Sequence, residues 1–274
     1  MAKSREPRST HREVELLTAL RRLGGSARNA NLAEVLDVSE ETIRRTAKAL
    51  AKADLVRRVH GGVYLANTEA EASVFSRLGR RSGEKTRIAE AAAALVPDGS
   101  AVFLDVGSTT AFVAEALQDH KKLTVVTNSL SAAQALVERN GNKVFLAGGE
   151  LRPTDGGAFG PDTIEFVKRF RFDIAILSTD GIDVTSGFLL ASLDEAAVAR
   201  AAIAQARRRI VVADHLKFGQ HAPLILCAPQ LLDVLVTDRP PGADFHGALQ
   251  DWDIETVCVN ATQPPHVLHA GTHA

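Results

Sequence analysis

The chain has 274 residues and nearly balanced charge, with 32 Lys+Arg against 33 Asp+Glu. Hydrophobic residues make up 45% and charged residues 24% of it, ordinary globular values that exclude wholesale disorder and suggest about two domains. No apolar run approaches the roughly 18 residues of a membrane helix, and the polar start lacks a secretory signal. We therefore expect a cytoplasmic protein with no membrane partner.

The near-zero net charge is the sum of two unequal parts. Residues 1–66 carry 13 Lys+Arg and 8 Asp+Glu, whereas residues 67–274 carry 19 and 25. Residues 1–66, the head, are therefore basic, and residues 67–274, the body, are acidic. This asymmetry indicates that only the head binds a polyanion.

Three helices are predicted in the head. Apolar residues recur at helical spacing over residues 12–23, and a glycine pair follows. Asn29 or Asn31 can cap a second helix, and Ser39 is a good N-cap for a third, from about Glu40 to Lys52.

A wing is predicted after these helices, because two short strands within residues 55–65 flank a glycine pair that permits a turn. Together these elements predict a winged helix-turn-helix over residues 1–66, whose third helix can enter a DNA major groove. Arginines can bind guanine as bidentate forks, and hydroxyl and wing residues can reach phosphates. Alternatively, the charged residues of the third helix only form a solvated surface. The helix spacing, the predicted wing and the basic charge of the head together favour DNA binding. The candidate DNA-binding residues are Ser39, Thr42, Arg44, Arg45, Lys48, Arg57, Arg58 and His60.

The body is predicted to be an α/β domain over residues 83–260, after a linker over residues 67–82. Short β-rich runs alternate with helices, which is typical of a mostly parallel sheet with helices on both faces. The predicted strands are 101–104, 123–126, 143–147, 173–178, 209–213, 234–237 and 256–259. Residues 261–274 are predicted to be a disordered tail.

Polar and glycine-rich loops follow several of these strands. Ligands of open α/β sheets bind beyond the carboxyl ends of the strands, and consecutive amides at a helix N-terminus can cradle an anion. A lysine such as Lys217 suits a phosphate. A single loop of this kind more often only caps the helix that follows it. The prediction of a ligand site therefore rests on several such loops lying at the same edge of the sheet. The candidate effector-binding residues are Asp105, Gly107, Ser108, Thr109, Thr110, Thr127, Asn128, Gly148, Gly149, Asp214 and Lys217.

The segment VSEETIRRTAKALAKADLVRRVHGG, residues 38–62, resembles the signature of the DeoR-type bacterial transcriptional regulators. The body matches that family too, at Glu84-Lys85, the 105–110 loop, Gly148-Gly149 and the 214–219 segment. Residues 146–160, 169–177 and 237–241 look most like the glycerol-3-phosphate repressor branch. The resemblance spans roughly residues 12–260.

The resemblance implies a fold and a function. The family's sensor domain is similar to ribose-5-phosphate isomerase and binds phosphorylated sugars or polyols as effectors. We therefore expect a homo-oligomeric regulator, more often a repressor, that binds double-stranded operator DNA and releases it on effector binding. Departures from the family pattern occur at Thr46, Asp54, Ser108, Leu216 and Ala191-Ser192, and the last of these puts glycerol 3-phosphate itself in doubt as effector.

The residues also suggest two other classes of function. A sugar-phosphate isomerase fused to a DNA-binding head would need a general acid and base, which Asp105, Asp180, Asp214 and Lys217 can supply. A metal or redox sensor is disfavoured because Cys227 and Cys258 lie far apart in sequence. We expect no catalytic residue, no cofactor and no metal.

Overall fold

The computed structural model of the protein describes residues 11–22, 26–53, 55–59, 62–65, 78, 81–259 and 266–268. The chain divides into two compact units, Met1–Arg80 and Arg81–Ala274. They are called the head and the sensor unit below, and each is described by itself.

The head combines three helices with a small antiparallel sheet of order β1-β3-β2. Its core is formed by apolar side chains spaced three or four apart on the helices, such as Leu16 and Leu20 on the first and Ile43, Ala47 and Leu50 on the third. The elements are α1 (His11–Arg22), β1 (Ser26–Arg28), α2 (Asn29–Val35), α3 (Glu40–Lys52), β2 (Val56–Val59) and β3 (Gly62–Leu65).

The sensor unit is built on an eight-stranded sheet of order β16-β15-β14-β12-β9-β4-β5-β6. Seven neighbouring strands run parallel, and β16 pairs antiparallel with β15 at one edge. The mostly parallel sheet predicted from the sequence is confirmed. The strands are β4 (Ala101–Leu104), β5 (Thr124–Thr127), β6 (Lys143–Leu146), β9 (Phe172–Leu177), β12 (Ala206–Val212), β14 (Val234–Thr237), β15 (Glu255–Cys258) and β16 (His266–Leu268).

Helices cover both faces of this sheet, because alternate side chains of its strands enter two different cores. In β4, Val102 and Leu104 join one core, whereas Phe103 joins the other. The first core contains side chains of α4 (Ser82–Ala94), α5 (Ser108–Ala116) and α6 (Leu130–Leu136). The second contains those of α7 (Pro161–Lys168), α8 (Leu193–Gln205) and α9 (Ala243–Asp251).

Two small antiparallel sheets were not predicted. One is the hairpin of β7 (Glu150–Arg152) and β8 (Gly157–Phe159). The other joins β10 (Gly181–Asp183), β11 (Gly187–Leu190) and β13 (Leu224–Ile225). Each of these strands follows another strand with no α-helix between them, so the alternation of strands and helices that located the parallel strands does not reveal them. Helix α9 was also not predicted.

The predicted disordered tail is wrong at His266–Leu268. These residues form β16, whose backbone pairs with β15 from Thr256 to Cys258. The sheet edge supplies hydrogen-bond partners that the tail sequence alone does not reveal. The other residues of the predicted tail lie outside the described residues.

Candidate functional site

Helix α3 of the head separates an apolar from a charged face. Ile43 and Ala47 are buried, whereas Arg44, Arg45 and Lys48 are exposed. Residues three or four apart are neighbours on a helix surface, so Lys48 lies beside both arginines. The predicted recognition residues of this helix thus share one exposed surface.

Ser39 caps α3, as its sequence position predicted. Its Oγ accepts a hydrogen bond from the backbone N–H of Thr42 at 3.2 Å, and the two hydroxyl oxygens lie 2.9 Å apart. The cap satisfies an amide that the helix leaves unpaired. Because Ser39 is exposed, the helix N-terminus is also open to a phosphate.

Arg44 is paired within its own helix. Its Nη2 lies 3.0 Å from Glu40 Oε2, and its Nη1 lies 3.3 Å from Glu41 Oε2. Exposed pairs of this kind contribute little stability, so a DNA phosphate or a guanine edge can displace the carboxylates.

The wing residues are described only in part. Arg58 is exposed on β2 and pairs in register with Val63 of β3. The backbone of Arg57 lies in the same strand, but its side chain lies outside the described part of the structure, as does the whole of His60.

The order of strands in the sensor sheet reverses between β4 and β9. Strands β5 and β6 follow β4 on one side, whereas β12, β14 and β15 follow β9 on the other. A crevice forms at such a point because the loops beyond the two strands diverge, and ligands of open parallel sheets bind there.

Asp105 and Ser178 meet at this switch point, as the first residues beyond β4 and β9. Asp105 Oδ2 accepts from the Oγ and backbone N–H of Ser178 at 3.3 and 3.4 Å, and its Oδ1 accepts from the N–H of Val106 at 2.8 Å. Burial raises the pKa of Asp105 to about 7, although these hydrogen bonds oppose the shift.

Gly107 approaches Ser178 closely. A Cβ at Gly107 would lie 2.7 Å from Ser178 Oγ, which no real side chain tolerates. Ser108, Thr109 and Thr110 follow as the buried first turn of α5, and Thr110 Oγ1 donates to the carbonyl of Gly107 at 3.1 Å. The structure therefore sets a helix N-terminus against the crevice, as an anion cradle requires.

Thr127 is the last residue of β5, and Asn128 is the first residue beyond it, beside this loop. Thr127 Oγ1 donates to the carbonyl of Leu104 at 2.7 Å and accepts from the N–H of Ser129 at 3.0 Å. Its hydroxyl is thus engaged within the protein, which leaves Thr127 a positioning role. Asn128 Nδ2 donates to the carbonyl of Ala158 in the hairpin at 3.2 Å.

Gly148 and Gly149 lead from β6 into the hairpin. The carbonyl of Gly148 accepts from Thr163 Oγ1 at 2.5 Å. Gly149 has a φ of 138°, and a Cβ there would overlap Thr163 Oγ1 and the carbonyl of Phe159. Only glycine fits this position, so it fixes how the chain turns over the sheet edge.

Asp214 and Lys217 lie beyond the carboxyl end of β12. They bring further charge to the edge of the sheet where the parallel strands have their carboxyl ends. Asp214 Oδ1 accepts from the N–H of Leu216 at 3.0 Å and from Arg81 Nη1 at 2.8 Å. Lys217 Nζ lies 3.9 Å from Asp180 Oδ1 and donates to the carbonyl of Asp180 at 3.4 Å. Asp180 in turn accepts from the N–H of Ala191 at 3.0 Å.

Arg152 is a cation of this edge that the sequence did not single out. Its guanidinium lies 2.7 Å from Asp194 and 3.3 Å from both Asp155 and Glu195. It also stands 4.1 Å from the ring centroid of Phe159, a cation–π contact. Arg152 thereby ties the hairpin to the first turn of α8. The remaining residues that the sequence analysis did not place in the site are Arg81, Ser178 and Glu195.

Glu195 shares its surroundings with the residues of the switch point. Burial, together with the nearby charges of Asp105, Asp180 and Asp155, raises the pKa of Glu195 to about 8, against the influence of Arg152. Burial thus favours the neutral form of both Asp105 and Glu195, which reduces the repulsion of an incoming anion.

Comparison with protein families decides the identity of both units. The family model described as the DeoR C-terminal sensor domain matches residues 80–239, and the DeoR-like helix-turn-helix domain matches residues 12–69. The chain belongs to the DeoR family. The match of residues 12–69 confirms the helix-turn-helix interpretation of the head.

Curated relatives of this DeoR-family chain include two repressors. The glycerol-3-phosphate regulon repressor of Escherichia coli K12 is 37% identical over 84% of this chain and 92% of its own length. The glycerol-3-phosphate regulon repressor of Haemophilus influenzae is 39% identical over 77% of this chain and 83% of its own length.

Among solved structures, the DeoR-family chain is similar to ribose 5-phosphate isomerase A from Methanocaldococcus jannaschii, with 17% identity and a TM-score of 0.37. The match covers 50% of this chain and 54% of that one.

In the described ranges, no helix is long and apolar enough to cross a bilayer. Likewise, within the part of the chain that the structure describes, no group of three or more His, Cys, Asp or Glu side chains is placed to hold a metal ion.

Proposed function

We propose that this DeoR-family regulator is a cytoplasmic repressor that binds operator DNA through α3 and its wing and releases it when a phosphorylated sugar or polyol binds the sensor unit. The observation that carries the proposal is the switch point between β4 and β9. There a helix N-terminus, a close-approach glycine and buried carboxyl groups lie at one sheet edge with Lys217. Amides and a cation suit a phosphate, and carboxyl groups suit hydroxyls.

The proposal that the head binds operator DNA is tested with the variant Arg45→Ala. We expect operator affinity to fall by about 1–3 kcal/mol if Arg45 reads a base edge, while the fold is kept because the side chain is exposed. Fluorescence anisotropy with DNA from upstream of the gene and its neighbours measures the affinity. Arg139→Ala, an exposed arginine of the sensor unit, is the matched control and should bind as the parent protein does. Equal affinity for both variants would refute the role of Arg45.

The effector half is tested by thermal shift with a panel of phosphorylated sugars and polyols, followed by operator release with the compounds that stabilise the protein. A differential affinity of about 1–3 kcal/mol between two arrangements gives a useful response. Lys217→Ala should shift the dose–response curve to higher effector concentration and leave DNA affinity in place. Lys168→Ala, a surface lysine of α7 paired with Glu165, is the control. A panel without any stabilising compound contradicts the proposal.

We further propose a homo-oligomer, because two heads on a symmetric operator would match half-sites about one helical turn, or a multiple, apart. Binding without turnover distinguishes a sensor from an isomerase. Conversion of ribose 5-phosphate by the pure protein would favour the enzyme instead.

A further inference from the structure

The two ends of the Asn128 side chain have different environments. Nδ2 donates to the carbonyl of Ala158 at 3.2 Å, and the backbone carbonyl of Asn128 accepts from the N–H of Ala158 at 2.8 Å. A carbonyl can only accept, so this contact identifies which end of the side chain is the nitrogen. Oδ1, at the other end, is buried and has no hydrogen-bond partner among the described residues.

An unpartnered buried acceptor is uncommon, since buried polar atoms nearly always find a partner. Leaving such an acceptor without a donor costs stability. Thr127, the preceding residue, shows the ordinary situation, because its hydroxyl both donates and accepts within the protein. The acceptor of Asn128 is therefore available for a group that the chain does not supply.

The position of Asn128 relates it to the proposed effector site. Thr127 pairs in register with Leu104, so Asn128 and Asp105 are the first residues beyond two neighbouring parallel strands. The first turn of α5, where a phosphate is proposed to sit, begins three residues after Asp105. An effector held there by its phosphate would bring the next carbon of its skeleton toward this pair of residues.

The chemistry of an amide oxygen restricts what can fill this role. An amide oxygen accepts only from a donor, and a hydroxyl group is one, whereas a ketone oxygen and a C–H group are not. Sites built to hydrogen-bond a hydroxyl reject analogues that lack it, because the buried acceptor is then left unpaired.

We propose that Asn128 Oδ1 accepts a hydrogen bond from the hydroxyl on the effector carbon next to the phosphate-bearing carbon. This inference rests on the proposed function and narrows it, because it selects phosphorylated alcohols over their ketone and deoxy counterparts. Since Oδ1 is shielded from solvent, contact requires a small movement of the loops around it, which links recognition of the hydroxyl to a change in the sensor unit.

Three ligands of equal chain length test the inference: glycerol 3-phosphate, dihydroxyacetone phosphate and 3-hydroxypropyl phosphate. Of the three, only glycerol 3-phosphate has a hydroxyl on the carbon next to the phosphate-bearing carbon. Titration calorimetry on the full chain should show that it binds at least tenfold more tightly than the other two. If the panel's tightest ligand has a longer skeleton, the same comparison is made with its ketone and deoxy forms at the corresponding carbon.

Asn128→Leu removes the acceptor, and the tenfold preference should fall below about twofold. A merely structural role in holding the hairpin would weaken all three ligands alike and leave the preference unchanged. Asn128→Asp keeps an acceptor, so it should retain the preference for the hydroxyl. It loses the hydrogen bond donated to Ala158 and adds a negative charge, so it should bind all three phosphates more weakly. Asn142→Leu alters an asparagine before β6, at the opposite end of the strands, where its Oδ1 accepts from the N–H of Leu123. This control should keep the tenfold preference of the parent.

Equal affinity of the parent protein for the alcohol and its analogues, or an unchanged preference in Asn128→Leu, would overturn the inference and leave the phosphosugar sensor standing. Failure of every phosphorylated compound to bind would overturn both.

Discussion

Arg81 and Asp214 form a 2.8 Å ion pair across 133 residues of sequence. Arg81 directly precedes α4 and adopts a left-handed backbone with φ 53° and ψ 46°. Asp214 is buried and holds the turn His215–Lys217 by accepting a hydrogen bond from the N–H of Leu216. The pair thus joins the first residue of the sensor unit to a candidate effector residue.

Loss of this pair should destabilise the sensor unit. We expect Arg81→Gln to lower the free energy of unfolding by about 1–3 kcal/mol, less than for a fully buried pair, because Arg81 is one-third exposed. Trp252 is the only tryptophan and lies in the sensor unit, so its fluorescence during urea unfolding reports on this unit alone. Arg207→Gln breaks a far more exposed pair with Asp173 and should cost under about 0.5 kcal/mol. Equal costs for the two variants would contradict the expectation.

Ser39 has two separable roles in the head. Ser39→Ala removes the cap and should destabilise α3 by about 1 kcal/mol, measured by hydrogen exchange along that helix. Ser39→Asp keeps a capping oxygen but adds a negative charge where a phosphate is proposed to lie. It should therefore preserve the helix and weaken DNA binding. Normal DNA affinity in Ser39→Asp would exclude a phosphate from this position.

Gly107 should tolerate no side chain. Gly107→Ala would place a Cβ 2.7 Å from Ser178 Oγ and 2.9 Å from Ser178 Cβ, so one of the two loops must move. We expect a loss of about 1–3 kcal/mol, the usual cost of overpacking, and a weaker effector response. Gly247→Ala, in α9 and outside the candidate site, is the matched control, since nothing lies within 4 Å of a Cβ there. Restored stability in Gly107→Ala with Ser178→Gly would show that the contact, rather than the backbone, is responsible.

Glu195 should make the sensor unit less stable as the pH rises. Its pKa of about 8 in the folded chain exceeds the ordinary value of 4.5, so the folded state holds a proton that the unfolded state has lost between those values. Stability therefore falls with rising pH across this window. Glu195→Gln cannot lose a proton, and its Tm should decline less than that of the parent between pH 6 and 9. Glu165→Gln, on the surface of α7, should follow the parent profile.

Local signals in the sequence located much of the fold. Helix α3 begins at Glu40 and ends at Lys52 as predicted, because its cap and its apolar spacing both lie within the segment. The strand ends at Asp105, Asn128 and Asp214 were placed for the same reason. Several strand boundaries differ by one to three residues; β12, for example, begins at Ala206 rather than at the predicted residue 209.

The rest of the site depends on contacts between distant segments. Arg152 and Glu195 are 43 residues apart and meet only because the hairpin packs against the start of α8. Arg81 belonged to the predicted linker, and nothing near it in sequence indicates Asp214 as its partner. Periodicity reports which face of an element is buried, but not which other element covers it.

Strand β16 bears on how the protein should be handled in the laboratory. A version shortened at residue 260 would expose the backbone of β15 from Thr256 to Cys258, and uncovered strands of this kind recruit other chains. Shortened preparations should therefore precipitate sooner on storage, and purification tags are better attached at the amino terminus.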